Sequence, residues 1–172
     1  SDGHGDMISM ARPFLADPYF VQKAQEDKAD EINTCIACNQ ACLDHVFKRK
    51  IASCMVNPRA CHETELVYDP TSSAKNIAVV GAGPAGLAYS CVSAERGHKV
   101  TLFDASDQIG GQFNIAKQIP GKEEFYETLR YFSKRLQNAN VQLKLNTRVS
   151  AEDLKEFDLS LIHISEPTRP DE

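Results

Sequence analysis

The sequence lacks the features that mark membrane, secreted and nucleic-acid-binding proteins. No apolar run approaches the roughly 18 residues that a membrane-spanning helix needs, and no basic segment followed by an apolar one marks a signal peptide. Basic residues are not in excess, since 19 Lys and Arg stand against 24 Asp and Glu, a formal net charge of -5. A basic footprint for nucleic acid is therefore absent. We expect a cytoplasmic protein that binds neither a membrane nor a nucleic acid.

Cysteine is too scarce for a disulfide scaffold. Six Cys in 172 residues fall well below the roughly 8–10% of such proteins, and a reducing cytoplasm disfavours structural disulfides. The composition, 42% hydrophobic and 25% charged, is that of an ordinary globular protein of about one domain. Four of the six Cys nevertheless lie between positions 35 and 54, and this grouping needs its own explanation.

The most regular part of the chain is residues 75–158. A short β-branched run, residues 76–80, is typical of a buried strand. It is followed by a predicted helix that ends before Gly97, and by a second predicted strand over residues 99–104.

Further along, apolar residues recur four, three and four positions apart, which places them on one face of a helix: Phe125, Leu129, Phe132 and Leu136. Residues 141–145 alternate like a strand with one covered side. Near the start of the chain, residues 7–10 predict a strand, and residues 15–30 predict a helix with Phe20 and Ala24 on one buried face.

A glycine motif follows the first of these strands and opens the helix after it. In Gly81-x-Gly83-x-x-Gly86, the first glycine permits a tight turn, the second lets the backbone approach a diphosphate, and the third lets the helix pack closely. The unpaired N–H groups at the helix start would receive the phosphates. The expected contact residues are Gly81, Ala82, Gly83, Pro84, Ala85 and Gly86.

Asp104 closes the second strand, about 20 residues after the motif, where it would accept hydrogen bonds from ribose hydroxyls. A carboxylate there disfavours a 2′-phosphate, so the site suits FAD or NAD better than NADP. Residues 109–112 resemble the Gly-Gly-(Gln/Arg) segment of two-dinucleotide-binding flavoproteins, which implies FAD lying along Gly111 and Gln112. A glycine-rich structural turn is the alternative for residues 109–112, and a fold that binds no nucleotide is the alternative for the whole unit.

The cysteine spacing is the second informative pattern. Cys35, Cys38 and Cys42 lie in one tight loop, and Cys54 follows after eleven residues. Zinc sites more often use two C-x-x-C pairs with a longer insert, whereas three closely spaced ligands and a fourth favour a 4Fe–4S cluster. Zinc, and thiols that are unliganded or disulfide-bonded, remain open.

The remaining cysteines and two histidines carry weaker signals. Cys61 has no place in a four-ligand set, and a buried free thiol is expected there. Cys91 lies within the helix after the glycine loop and is expected in the core. His45 and His62 flank the cysteine group and are expected near it or at the surface rather than as ligands.

Three stretches, residues 31–43, 56–63 and 113–122, resemble the bacterial NADPH-dependent 2,4-dienoyl-CoA reductases, which are related to trimethylamine dehydrogenase and the enoate reductases. The resemblance runs from about residue 6 to residue 158. It implies an FMN-bearing TIM β/α barrel, then a cluster segment, then FAD- and NADPH-binding domains.

The resemblance also implies roles for particular residues. Residues 6–13 look like the last barrel strand and the turn after it, where TIM barrels bind phosphate, so Ala11 and Arg12 would touch the FMN phosphate. A surface arginine is the alternative. Asp104 and Gln112 would contact FAD, and Val149 would meet its adenine region through the backbone. The ligands of the cluster would be Cys35, Cys38, Cys42 and Cys54.

The expected fold class is therefore α/β, in four parts. Residues 1–34 would be the end of the FMN-binding barrel, 35–74 the cluster segment and linker, and 75–158 the first half of a Rossmann-like FAD domain. Residues 159–172 resemble a translated sequencing adapter and would be a non-native tail, although their first six residues alternate and could pair as a strand. A barrel needs about 250 residues, so we expect an internal fragment that is inactive alone.

The function that the resemblance implies is an electron relay. A hydride would pass from NADPH to FAD, single electrons through the 4Fe–4S cluster to FMN, and a hydride to a conjugated double bond of an enoyl- or dienoyl-CoA in fatty acid β-oxidation. Alternatives are an enoate reductase, a trimethylamine dehydrogenase-like enzyme, the electron-transfer module of a glutamate-synthase-like enzyme, and a zinc-stabilised nucleotide-binding module.

Overall fold

The computed structural model describes residues 5–162, which form two compact units. The first unit contains residues 5–67 and Lys122–Tyr131. The second contains Tyr68–Gly121 and residues 132–162. The four-part division made from the sequence stays a prediction.

The first unit consists mainly of loops with short helices between them: α1 (Arg12–Ala16), α2 (Phe20–Gln25), a 3₁₀ turn (Ala29–Glu31) and α3 (Leu43–Phe47). Pro13 lies in the first turn of α1, where its missing N–H costs nothing. The single helix predicted over residues 15–30 is wrong, because α1 ends before Asp17 and Pro18, and no residue of α2 is buried.

The strand predicted over residues 7–10 is also wrong. Met7 and Ile8 are 87% and 80% exposed, and the backbone around them has no strand conformation. A strand needs a neighbour to accept and donate its backbone hydrogen bonds. Nothing among residues 5–162 pairs with this segment as a strand.

The second unit is built on a parallel sheet of four strands in the order β3-β2-β1-β4. The strands are β1 (Asn76–Val80), β2 (Lys99–Phe103), β3 (Gln142–Lys144) and β4 (Leu159–Ile162). The remaining helices among residues 5–162 are α4 (Pro84–Glu95), α5 (Phe113–Ala116) and α6 (Glu124–Asn138). This arrangement confirms the predicted α/β class with a Rossmann-like parallel sheet, whereas the barrel end and the cluster segment stay predictions.

The core of the second unit lies between the central strands and α4. Val79 and Leu102 of the two central strands and Leu87 of α4 are completely buried. Gly97, with a φ of 100°, lies just beyond the end of α4, as the sequence predicted. The predicted apolar face of α6 is confirmed in this unit, since Leu136 is 3% exposed.

Of the two outer strands, one lacks the covered side predicted for it, and the other forms as its alternating pattern allowed. The predicted strand near residue 143 exists as β3, but all three of its residues are exposed, so the covered side predicted for it is wrong. In an edge position a strand can pair on one side and leave both faces to water. Residues 159–162 do pair as a strand, parallel to β1 with Leu159 opposite Ile77. Residues 163–172 of the expected non-native tail lie outside the described residues.

No helix within residues 5–162 is both long and apolar enough to cross a lipid bilayer.

Candidate dinucleotide and cysteine sites

The glycine loop connects β1 to α4 and closes back on the sheet. Gly81 adopts a φ of 106°, and its N–H donates a hydrogen bond to the carbonyl of Phe103 at the end of β2 (2.8 Å). A methyl group on Gly86 would lie 1.8 Å from the carbonyl oxygen of Gly81. Only glycine therefore lets the first turn of α4 pack against this loop, as the motif predicts.

Gly83, the N-cap of α4, is different. Its φ is -74°, and a Cβ built there would meet nothing within 4 Å. Open space therefore faces the backbone at the helix start, where the N–H groups of the first turn have no partner within the helix. Open access to the N–H groups at a helix start is one requirement of a diphosphate site.

The second glycine-rich segment lies against the first. The N–H of Gly110 donates to the carbonyl of Ala82 (2.7 Å), and a Cβ on Gly111 would lie 3.1 Å from the Cα of Gly83. Gln112, at the start of α5, is exposed. The two segments that the sequence associated with one dinucleotide thus lie side by side.

The carboxylate of Asp104 links the end of β2 to the glycine loop. One oxygen accepts a hydrogen bond from the N–H of Ala82 (2.6 Å) and the other from the N–H of Ser106 (2.8 Å). Each carboxylate oxygen can accept more than one hydrogen bond, so capacity for ribose hydroxyls remains. Val149 packs its side chain against the core cluster around Phe103, which leaves its backbone as the part that could meet a ligand.

The first unit brings the four predicted cysteines together. All four line one pocket, and each is half-buried and free of disulfide bonds: Cys35, Cys38, Cys42 and Cys54. The other lining residues are Arg12, Leu15, Ile36, Asn39, Ala41 and Met55.

Local backbone conformation shapes this cysteine loop. Ala37 and Asn39 have φ values of 52° and 59°, and these left-handed residues turn the chain between the closely spaced cysteines. The N–H of Ser53 donates to the carbonyl of Ala41 (2.7 Å), which brings the segment carrying the fourth cysteine back to the first three. Left-handed alanine is strained, and strain of this kind is typical of a ligand-binding loop.

The cysteines are close enough to influence one another. Burial raises the pKa of the Cys54 thiol, backbone hydrogen bonds from Val56 and Asn57 oppose this, and electrostatic interaction with Cys35 and Cys38 raises that pKa further. Bringing several thiolates together without a cation is unfavourable. The pocket is therefore suited to a group that carries positive charge.

A zinc ion and a 4Fe–4S cluster place different demands on four thiolates. Among residues 5–162, no three His, Cys, Asp or Glu side chains are placed to hold one metal ion. Zinc would need its sulfurs ~2.3 Å from one point, so that they lie close to one another. A 4Fe–4S cluster is also held by four thiolates, but each binds a different corner, which requires wider spacing. Four cysteine thiolates are a donor set that a 4Fe–4S cluster can use.

Arg12, the first residue of α1, lines this pocket and donates a hydrogen bond from Nη1 to the side-chain oxygen of Asn39. Ala11 precedes it as the exposed N-cap of α1. The contacts of both residues with an FMN phosphate stay predictions.

Sequence reasoning missed a set of polar residues that hold the cysteine segments. The carboxylate of Asp17, which is 2% exposed, accepts hydrogen bonds from Nζ of Lys23 (2.6 Å) and from the backbone N–H of Asn33 (2.9 Å). The side-chain amide of Asn33 donates to the carbonyl of Val56 (2.8 Å), and that of Asn57 donates to the carbonyl of Leu15 (2.9 Å). We call Asp17, Lys23, Asn33 and Asn57 the polar clamp.

Proximity in sequence was the signal that could have found it. Asn33 lies two residues before Cys35, and Asn57 lies three residues after Cys54. Asparagine side chains in loops commonly bond to backbone groups.

The remaining predictions have mixed outcomes. Cys61 was expected to be buried but is exposed, and it lies in a turn with a φ of 63°. Cys91 is completely buried as predicted, and burial raises the pKa of its thiol to about 12. His45 and His62 are half-buried, and Nδ1 of each lies 3.0 Å from an oxygen, the carbonyl of Ile51 and the carboxylate of Glu65 respectively.

Comparison with known proteins agrees with this organisation. Residues 79–142 match the model of the NAD(P)-binding Rossmann-like domain. The chain is 42% identical to a metal reductase of Desulforamulus reducens, covering 89% of the chain and 23% of that protein, and 32% identical to a cinnamate reductase of Clostridium sporogenes, covering 98% and 25%.

Two solved structures are also similar to this chain over nearly its whole length. A 2-naphthoyl-CoA reductase in complex with 2-naphthoyl-CoA is 39% identical with a TM-score of 0.93, covering 98% of this chain and 26% of that one. Histamine dehydrogenase from Rhizobium sp. 4-9 is 30% identical with a TM-score of 0.86 and the same coverages. The chain spans about a quarter of the length of the curated relatives it matches. It is thus similar over nearly its whole length to part of several reductases and dehydrogenases, all of them oxidoreductases.

Proposed function

We propose that the chain is the electron-transferring part of a flavin- and iron–sulfur-dependent oxidoreductase. The observation that carries this proposal is the convergence of Cys35, Cys38, Cys42 and Cys54 on one pocket. In the second unit, the open space at Gly83 and the position of Asp104 beside the glycine loop support an FAD site there.

The two groups would supply complementary chemistry, because flavins exchange one or two electrons and a 4Fe–4S cluster passes one at a time. This chain's own residues bind and orient them. The four thiolates would hold the cluster, the N–H groups at the start of α4 would bind the diphosphate, and Asp104 would hold the ribose.

For the whole protein, the substrate that we propose is a conjugated enoyl- or dienoyl-CoA. NADPH and a proton would together deliver two electrons and two hydrogens across one carbon–carbon double bond, leaving NADP⁺. The resemblance of residues 31–43 and 56–63 to the dienoyl-CoA reductases supports this, as does the similar structure that binds 2-naphthoyl-CoA. In the whole protein FMN would bind at Ala11 and Arg12.

A second candidate is oxidation of a small amine. Histamine dehydrogenase and dimethylamine dehydrogenase of Hyphomicrobium are also similar to the chain, at 30% and 31% identity. Assaying both substrate classes with the protein encoded by the complete reading frame would decide between them.

Anaerobic reconstitution of the 172-residue chain with iron and sulfide, followed by FAD addition, tests the cofactor assignment directly. We expect broad absorption near ~400 nm, about four irons and four sulfides per chain, and one bound FAD. Cys38→Ala should abolish the iron signal but not FAD binding. Cys61→Ala is the matched control, because its thiol is exposed and outside the pocket.

Bound zinc without iron, or an iron signal that persists in Cys38→Ala, would refute the cluster assignment. An absence of FAD binding in a folded chain would refute the assignment of the glycine loop.

A further inference from the structure

Arg12 occupies an unexpected position for a residue associated with an FMN phosphate. It lines the same pocket as the four cysteines and is half-buried there. Its guanidinium donates to the side chain of Asn39, which lies between Cys38 and Cys42 in the cysteine loop. The guanidinium is therefore held against this loop rather than pointing freely into water.

The charge of Arg12 has no equivalent among its neighbours in the pocket. Of the lining residues within the described part of the chain, Arg12 alone is cationic, and none is acidic apart from the thiols themselves. Arginine keeps its charge at every pH that proteins experience. It therefore supplies a permanent positive charge beside four groups that would bind iron as thiolates.

Such a charge has a definite consequence for electron transfer. Reduction of a thiolate-ligated cluster adds one electron, and so one unit of negative charge, to a centre that is already anionic. Net charge, hydrogen bonds and solvent exposure set the reduction potential of such clusters. In a partly buried pocket, the interaction with a nearby cation is screened much less than in water.

We propose that Arg12 raises the reduction potential of the cluster by stabilising its reduced form, with Asn39 as the residue that positions the guanidinium. This inference rests on the proposed function, because it requires a cluster in the cysteine pocket. It assigns to Arg12 a role in tuning electron transfer that is separate from any contact with FMN.

The test is a redox titration of the full 172-residue chain after anaerobic reconstitution, with dithionite as reductant and optical or EPR detection. Iron and sulfide are counted first for each variant. Arg12→Gln should lower the ratio of reduced to oxidised cluster at a fixed potential by about tenfold, a shift of about 59 mV for one electron. Arg12→Lys, which keeps the charge, should restore most of this shift.

Two further variants complete the design. Lys48→Gln is the matched control, because it removes an exposed positive charge from the same unit outside the pocket. The reduction potential of the cluster in this variant should match that of the unaltered chain. Asn39→Gly removes the hydrogen-bond acceptor while tolerating the left-handed φ of 59°. It should lower the potential by less than Arg12→Gln does.

The outcomes separate the two proposals. If the unaltered chain takes up no iron and sulfide, the proposed function fails. If Arg12→Gln and Asn39→Gly keep the cluster with an unchanged potential, or if Lys48→Gln shifts it equally, the role of Arg12 is refuted. Loss of the cluster in both variants would also refute it, because Arg12 would then be required for binding rather than for the potential.

Discussion

At the scale of single residues, two glycines of the same loop differ in the space around them: Gly86 is packed against backbone atoms, and Gly83 faces open space. A methyl group on Gly86 would overlap the carbonyl oxygen of Gly81, a backbone atom that cannot move without distorting the loop. We expect Gly86→Ala to lower the free energy of unfolding by about 3 kcal/mol, measured by urea denaturation. A loss below about 0.5 kcal/mol, the range of ordinary surface substitutions, would contradict the close packing of α4.

Gly83→Ala provides the contrasting change. The φ of Gly83 is accessible to alanine, and nothing lies within 4 Å of the added methyl group, so the folded chain should keep its stability. The methyl group would nevertheless occupy the space that a diphosphate needs. We expect FAD affinity, followed by flavin fluorescence, to fall at least tenfold with an unchanged urea midpoint. Unchanged affinity would show that the diphosphate binds elsewhere.

Cys91 predicts a pH dependence of stability. Burial raises the pKa of its folded thiol to about 12 from an ordinary 9.0, so the unfolded chain releases this proton first as the pH rises. The stability that the protonated thiol contributes is complete below pH 9. Between pH 9 and 12 the free energy of unfolding falls by about 1.4 kcal/mol per pH unit. Urea denaturation at pH 8, 9 and 10 should show a shallower decline for Cys91→Ala. Equal declines in the unaltered chain and in Cys91→Ala would contradict the assignment of this pH dependence to Cys91. The absolute free energies of unfolding are not compared, because the substitution also leaves a cavity.

At the scale of structural elements, the first unit has little apolar core, and the hydrogen bonds of the polar clamp hold its segments together instead. Asp17 joins α1, α2 and the segment before the first cysteine through an ion pair and two backbone hydrogen bonds, at Asn33 and Tyr19. We expect Asp17→Asn to destabilise the first unit by about 2 kcal/mol, since a buried ion pair that loses one charge leaves the other uncompensated. Iron uptake on reconstitution should fall together with the stability of this unit.

Glu26→Gln is the control for this change. Glu26 pairs with Lys28, and both side chains are about half exposed, at 41% and 49%. Such pairs contribute little, so the urea midpoint should not move. If Asp17→Asn behaved like Glu26→Gln, the clamp would not be what orders the cysteine segments.

The elements also show what local sequence can predict. The patterns predicted β1, α4 and α6 because each is encoded by its own residues: a β-branched run, a glycine loop with its closing Gly97, and a stripe of apolar side chains. The strand over residues 7–10 failed because strand formation depends on a partner, which no local pattern supplies. The exposure of β3 depends in the same way on distant parts of the chain.

The same reasoning applies to the candidate sites. Spacing identified the four cysteines, and the glycine motif with Asp104 identified the dinucleotide loop, because each set is confined to one short stretch of the chain, residues 35–54 and 81–104. The polar clamp was missed because its bonds join residues up to 42 positions apart. The predicted burial of Cys61 was wrong because burial depends on which other segments pack against a turn, and no local pattern specifies them.

At the scale of the whole molecule, each candidate site lies within one compact unit. The cysteine pocket belongs to residues 5–67, and the glycine loop, Asp104 and Gly111 belong to Tyr68–Gly121. A ligand that binds only the folded state stabilises it by RT ln(1 + [L]/Kd), about 2.7 kcal/mol at 100-fold excess over Kd. Each ligand should therefore slow hydrogen exchange first in the unit that holds its binding residues.

This predicts two separate patterns of protection in hydrogen–deuterium exchange with mass spectrometry. Reconstitution with iron and sulfide should protect peptides spanning residues 33–57, because the cluster would tie the three-cysteine loop to Cys54, whereas FAD should protect peptides spanning residues 80–112. Cys38→Ala should remove the first pattern alone and Gly83→Ala the second alone. If FAD protected residues 33–57 while residues 80–112 exchanged as before, the assignment of the glycine loop would be wrong. If iron and sulfide protected neither region in the unaltered chain, the four thiols would not be ligands, whatever their shared pocket suggests.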